Sequence, residues 1–354
     1  MRIIGWYFSG TGNTHDAAEA VRDRLSAAGN TVTLRNIEDS DPRAFDPDSA
    51  DLFLLFFPVY SWDVPSIVRS FIRALPRSAG NRASGDETSR RKGLRGAVLA
   101  VDGGGGLSAA DVAGRLLRRR GFDVFLTARA SYTENWTMFS NPPGPPESAA
   151  INDAGRRMAE DFAERIIAER GGRIEDHRTA GALLGVVGFL FRAAGRRFLS
   201  QAFAADSDCT SCGLCARTCP AHAIRMSVTK PKRPGWRISC QSCNRCINIC
   251  PERAINTSVR RLGILLIGTV GICAALIPPV VRLACPLVGG ADWIIVLVLI
   301  LAGNLIGLIV LPPLMELLRR IPGCSRFLEK SINKDYRRYI MEGFEPGTGH
   351  SHRE

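Results

Sequence analysis

The chain has 354 residues, enough for two or three domains, and 46 Lys and Arg against 34 Asp and Glu give a formal net charge of +12. That balance suits nucleic acid or an anionic membrane. The cations are spread along the chain and often flank apolar segments, so a membrane is expected and no nucleic-acid partner is. No secretory leader is expected, because Ile3, Ile4, Tyr7 and Phe8 begin a strand pattern almost at once.

Strands are expected over 2–8, 31–36, 51–57, 96–101 and 122–130, with helices over 15–28, 65–75, 108–120 and 151–170. The run 51–57 is almost unbroken in apolar residues, as a central parallel strand covered on both faces should be. Residues 1–170 therefore predict an open, doubly wound α/β sheet. The first loop, Ser9-Gly10-Thr11-Gly12-Asn13-Thr14, combines small residues, hydroxyls and a helix start, which together make a phosphate site. It lacks the lysine of a nucleoside-triphosphate loop and the third glycine of a dinucleotide fingerprint.

With Asn13 and Thr14 the loop resembles the FMN phosphate loop of flavodoxins. That resemblance implies a flavodoxin-like parallel sheet of order 2-1-3-4-5 with FMN at its switch point. Two more loops should then meet the flavin ring. Pro58, Val59, Tyr60, Ser61 and Trp62 follow the third strand, and Tyr60 and Trp62 either stack on the ring or anchor the loop. Gly103, Gly104, Gly105 and Gly106 follow the fourth strand and let backbone approach closely. Flavodoxins often carry an aromatic there; this chain does not, and residues 132–136 are the candidates to compensate. His15 is expected to face solvent. Residues 77–92 read as a disordered insertion and 142–146 as a stiff turn.

Residues 171–205 form a linker, whose apolar-then-basic part, 180–203, is too short to span a bilayer. It either lies in a membrane interface with snorkelling arginines or packs between the soluble domains. Residues 206–258 hold eight of the eleven cysteines in two runs of identical spacing: Cys209, Cys212, Cys215 and Cys219-Pro220, then Cys240, Cys243, Cys246 and Cys250-Pro251. This is the bacterial ferredoxin pattern for two [4Fe–4S] clusters, in which the fourth Cys of each run serves the other cluster. One cluster would take Cys209, Cys212, Cys215 and Cys250; the other, Cys240, Cys243, Cys246 and Cys219. Zinc sites use wider gaps between CxxC pairs, and a disulfide framework suits a short secreted domain. Thiolates of this kind are expected in a reducing compartment.

Residues 262–318 read as a transmembrane hairpin. The stretch 262–284 gives ~34 Å of helix with Arg282 as its only charge, and 293–311 gives a second span with Trp293 at its edge and Asn304 inside. Pro278-Pro279 and Pro312-Pro313 should kink or end the two helices. Arg260, Arg261, Arg319 and Arg320 flank the outer ends, so both should be cytoplasmic, with the soluble domains on that side of the inner membrane and 319–354 a cytoplasmic tail. Cys273, Cys285 and Cys324 lie outside the cluster pattern.

Taken together, the motifs resemble the flavodoxin–ferredoxin fusion proteins of anaerobic and facultative prokaryotes. The resemblance implies electron transfer between FMN and the clusters. The expected partners are a redox protein or a quinone, and membrane lipid. Two other functions stay open. One is a flavin-dependent reductase or dehydrogenase acting directly on a quinone or a tetrapyrrole-type substrate, similar to the flavodoxin-like protoporphyrinogen dehydrogenases. The other is a membrane-bound redox sensor. No catalytic residue is assigned.

Overall fold

The computed structural model describes every residue except 79–92, 106–107, 174–186, 229, 289–291, 320, 322 and 348–354. β1 (Arg2–Tyr7), β2 (Thr31–Asn36), β3 (Leu52–Pro58), β4 (Arg95–Asp102) and β5 (Asp123–Ser131) form a parallel sheet in the order 2-1-3-4-5. In β3, Phe53, Leu55 and Phe57 enter the core on one face, and Leu52, Leu54 and Phe56 the core on the other. α1 (Asn13–Ala27) and α4 (Pro145–Ile167) cover one face, α2 (Ser66–Ala74) and α3 (Ala109–Arg119) the other. Both faces of β3 are thus dry, which is why its sequence shows no alternation.

The sequence expectation needs two corrections here. A sixth strand, β6 (Gly172–Arg173), pairs with β5 at the sheet edge; two residues are too few to carry a periodic signal. Pro145 and Pro146, expected in a turn, instead open α4, where the missing N–H costs no helical bond. Of the expected insertion, 79–92 lie outside the described residues. Ser78 before it is buried, donating its N–H to Arg120 O and accepting Leu94 N–H at Oγ.

Residues 187–200 are helical, with a π-type turn at Phe191–Gly195 leading into α5 (Arg196–Ser200). This stretch packs between the soluble domains. Arg192 pairs with Asp63, Arg196 Nη1 donates to Cys240 O (2.6 Å), and Ser242 Oγ donates to Arg196 O (2.8 Å). The cysteine-rich domain begins at β7 (Phe203–Ala205), slightly before the expected boundary, because this strand closes on β10 (Ile255–Thr257) in antiparallel register. Between them lie α6 (Leu214–Arg217), the β8 (Ile224–Met226)–β9 (Pro234–Trp236) hairpin and α7 (Arg245–Ile249).

Ser258, whose Oγ accepts Arg261 N–H (3.2 Å), starts α8 (Val259–Val288), which is followed by α9 (Asp292–Leu318). Both helices are long and apolar enough to cross a membrane. They run through Pro278-Pro279 and Pro312-Pro313 and do not end there. The two helices approach closely at glycines: a Cβ on Gly268 would lie 2.8 Å from Leu311, and one on Gly307 2.8 Å from Thr269 Oγ1. Gly303 meets Cys273 in the same way, so Gly303 and Gly307 form the small-xxx-small spacing that lets apolar helices touch. Asn304 donates to Ile300 O within its own helix (2.8 Å). Arg261 is buried between Phe203 O and Glu316, so this flanking cation joins the hairpin to the cysteine domain.

The stretch after α9, expected as a tail, folds back. After α10 (Cys324–Leu328) it runs as a strap across both soluble domains. Asn333 Nδ2 donates to Thr137 O (2.7 Å) while its Oδ1 accepts Thr257 N–H (2.7 Å). Lys334 pairs with Asp206 and Asp208, and Met341 N–H reaches Thr11 O (2.8 Å).

Candidate functional site

The loop between β1 and α1 is buried at Ser9, Thr11, Asn13 and Thr14. Ser9 Oγ accepts Gly12 N–H (3.0 Å), which tightens the turn, and Gly12 sits at φ 112°, a conformation that suits glycine. Thr11 Oγ1 accepts from Asn135. Asn13 is held at both ends of its amide: its Nδ2 donates to Thr133 O (2.8 Å) and its Oδ1 accepts from Tyr339 OH (2.6 Å). Thr14 Oγ1 is buried with no partner, an orphan that a bound phosphate at this helix start would satisfy.

This loop is one wall of a cavity of about 500 Å³. Pro58, Val59, Tyr60, Ser61 and Trp62 form a second wall, and Gly103, Gly104 and Gly105 a third; Gly106 lies outside the described residues. Tyr60 and Asp63 exchange backbone hydrogen bonds (3.1 and 3.2 Å) around Ser61 and Trp62, which both have positive φ (47° and 60°). For two residues with side chains that is a strained turn, and it holds Trp62 at the cavity mouth. Tyr60 OH is buried without a partner, and a Cβ on Gly10 would lie 2.9 Å from it. Burial and then the neighbouring Cys243 push this phenol well above its ordinary range, so it stays a neutral hydroxyl. Asp102 accepts Gly104 N–H (2.6 Å) and Gly105 N–H (3.1 Å), fixing the glycine loop. Of the candidates after β5, Thr133 to Trp136 line the cavity, whereas Tyr132 is core and donates to Asp16 (2.9 Å). His15 is half-buried, beside Tyr7 and Phe344 (ring centroids 5.1 and 5.7 Å), and does not line the cavity.

The eight motif cysteines gather around two further cavities. Cys219, Cys240, Cys243 and Cys246 line one; Cys209, Cys212, Cys215 and Cys250 line the other. The two runs share their backbone: Ser211, Gly213 and His222 have positive φ in the first, and Ser242, Asn244 and Arg253 at the matching positions of the second. Such turns curl backbone N–H groups inward, as anionic clusters require. Ala223 N–H points at Cys219 Sγ (3.3 Å) and Ser242 N–H at Cys240 Sγ (3.4 Å). Burial pushes the bare thiols up, Cys215 to about 12 and Cys243 to about 11, so filling these sites with iron must release protons. Among the described residues no three His, Cys, Asp or Glu converge on a single-ion site.

Ser242, Cys243 and Asn244 also line the large cavity, so the second cysteine run and the Ser9–Thr14 loop share one space. Phe191 joins them from the interdomain helix. Sequence inspection missed three contributors: Phe191, Arg245 and Tyr339. Arg245 is 1% exposed and forms a bidentate pair with Glu38 (2.6 and 2.7 Å). Burial pushes the Glu38 carboxyl up, while Arg245 pulls it down. Arg245 stands where the first run has Leu214, but several neighbouring positions differ between the runs too, so nothing local singles it out.

Residues 208–255 match the family model of a 4Fe-4S dicluster domain. No curated protein matches the chain. Among solved structures, the chain is similar to a flavodoxin from the domain Archaea, with 18% identity over 47% of this chain and 99% of that one (TM-score 0.33). Two-electron reduced Megasphaera elsdenii flavodoxin is 23% identical over 45% and 98% (TM-score 0.29). Oxidised flavodoxin 2 from Bacillus cereus is 17% identical over 47% and 99% (TM-score 0.32). The flavodoxin-like architecture of the N-terminal half rests on its strand order, not on these scores. The chain thus joins a flavodoxin-like domain to a 4Fe-4S dicluster domain.

Proposed function

We propose that this chain is a membrane-anchored electron-transfer flavoprotein carrying FMN and two [4Fe–4S] clusters. When bound, FMN supplies paired or single electron exchange and each cluster exchanges one electron, so together they link two-electron to one-electron chemistry. The observation that carries the proposal is the shared cavity, lined by the Ser9–Thr14 loop and by Cys243. Thr14 Oγ1, Ser9, Thr11 and the start of α1 would hold the phosphate, and Asn13 would orient the loop through its two neighbours. Tyr60 and Trp62 would flank the ring, the backbone of Gly103 to Gly105 would let it approach, and Trp62, Trp136 and Phe191 would keep water from its edge.

The two quartets, each with a fourth cysteine from the other run, would hold the clusters. Leu262, in the first turn of α8, packs against the core containing Cys215, Cys240 and Cys246. The clusters would therefore lie near the membrane surface, on the cytoplasmic side, where a redox protein or a membrane quinone is the partner. Leu266, Ile267, Val270, Val298, Leu305 and Ile309 are exposed on the hairpin, and a bilayer would cover them. The test is anaerobic stopped-flow on the full chain with a low-potential donor and a quinone, following flavin and cluster absorbance separately. Sequential bleaching and recovery of both bands supports the proposal; a cluster band that never responds while the flavin turns over sinks it.

A further inference from the structure

The two cysteine runs share spacing and backbone, yet where the first has the apolar Leu214 the second has Arg245. Arg245 is buried, and every donor of its guanidinium is used. Nε donates to Gly10 O (2.8 Å), Nη1 to Glu38 Oε2 (2.7 Å) and Thr218 O (2.8 Å), and Nη2 to Glu38 Oε1 (2.6 Å) and Ser9 O (2.5 Å). A guanidinium has five N–H donors, so none is left over.

Four of the five acceptor atoms belong to the flavodoxin-like domain, two of them the carbonyls of the phosphate loop itself. The fifth, Thr218 O, precedes Cys219. One planar group therefore ties the phosphate loop, the end of β2 and both ends of one cysteine quartet into fixed register. An apolar side chain would make an interface at lower desolvation cost, so a buried ion pair here suits orientation better than stability. Among the described residues no arginine ties the quartet of Cys209, Cys212, Cys215 and Cys250 to the Ser9–Thr14 loop, and none of its cysteines lines the large cavity.

We infer that Arg245 is a positioning residue: it fixes the Cys219, Cys240, Cys243 and Cys246 quartet against the phosphate loop, so that the cluster held there, not the other, exchanges electrons with the flavin. Each exchange moves one electron, gained by the cluster as the flavin loses it or the reverse. The inference rests on the function proposed above.

The test uses full-length protein purified anaerobically, with two variants, Arg245→Gln and the double variant Glu38→Gln/Arg245→Gln. Cluster potentials are read by EPR-monitored redox titration, the two clusters being told apart with Cys219→Ser. Arg245→Gln leaves the Glu38 carboxylate beside the quartet, so the potential of that cluster alone should fall. The double variant removes both charges and should bring the potential back. Flavin–cluster exchange should stay slower by about tenfold or more in both, the scale of a small misplacement of reacting groups. Because a lone buried Glu38 can unfold the single variant, the double variant carries the test by itself. Exchange at the unmodified rate, equal shifts of both clusters, or loss of FMN or iron from the double variant would overturn the assignment. Absence of FMN or iron from the unmodified chain would instead overturn the proposed function.

Discussion

Tyr339→Phe tests whether the strap holds the phosphate loop. Tyr339 is 9% exposed; its OH donates to Asn13 Oδ1 (2.6 Å) and accepts from Asn152 Nδ2 (2.9 Å). Phenylalanine keeps the ring and removes only the hydroxyl. Asn152 is half-buried and can take water in exchange, so its loss counts for little. Asn13 is 8% exposed and has no second donor for Oδ1 among the described residues, so one buried acceptor is left unmet, a cost of about 1–3 kcal/mol. Asn13 is the first residue of α1, and its Nδ2 holds the 133–136 stretch against the loop, so the cost falls on the phosphate site proposed above. FMN binding to the deflavinated chain should weaken by about 5–150-fold, read by flavin fluorescence quenching, with iron content unchanged. Affinity within about twofold of the unmodified chain, in a variant that still folds, would refute this role for the strap.

Three further outcomes follow from the same geometry. Cys219→Ser should abolish the EPR signal of the cluster held with Cys240, Cys243 and Cys246 and leave the other; loss of the other signal alone would exclude crossed ligation. Gly12→Ala should cost about 1–2 kcal/mol in backbone strain and also push its Cβ into Met341 and Phe344, freeing the strap. Limited trypsin digestion at Arg337 and Arg338 should then accelerate, and an unchanged cleavage rate would contradict the packing. Replacing Leu266, Ile267 and Val270 with polar residues should move the chain from the membrane to the soluble fraction, provided α8 is a membrane span. Retention in washed membranes would mean that something else anchors it.

The parts of the fold that were legible share one property: their determinants are local. The apolar run of β3 reports a strand dry on both faces, and the loop from Ser9 to Thr14 carries its hydroxyls and glycines within a few residues. The cysteine runs repeat at fixed spacing, which is why the 4Fe-4S domain stands out from the pattern. What stayed hidden depends on long-range contacts. Tyr339 looks like one aromatic in a polar tail until the hairpin turns the chain back toward Asn13. Phe191 reads as part of an apolar linker, because nothing local shows which wall it faces. Arg245 sits inside a motif whose cysteines draw the attention, and its role depends on Glu38, far away in sequence. The proline pairs end neither helix, because the groups each proline frees can be met again by a neighbouring helix or a local adjustment.

The central claim is that one chain holds a flavin and two iron–sulfur clusters around adjoining cavities. Its most direct test is the cofactor content of the full-length protein purified anaerobically, with iron, zinc, acid-labile sulfide and flavin measured per chain. The account predicts one FMN and about eight irons with matching sulfide. Fewer than about two irons, zinc in their place, or a chain that takes up iron but binds no FMN would contradict it.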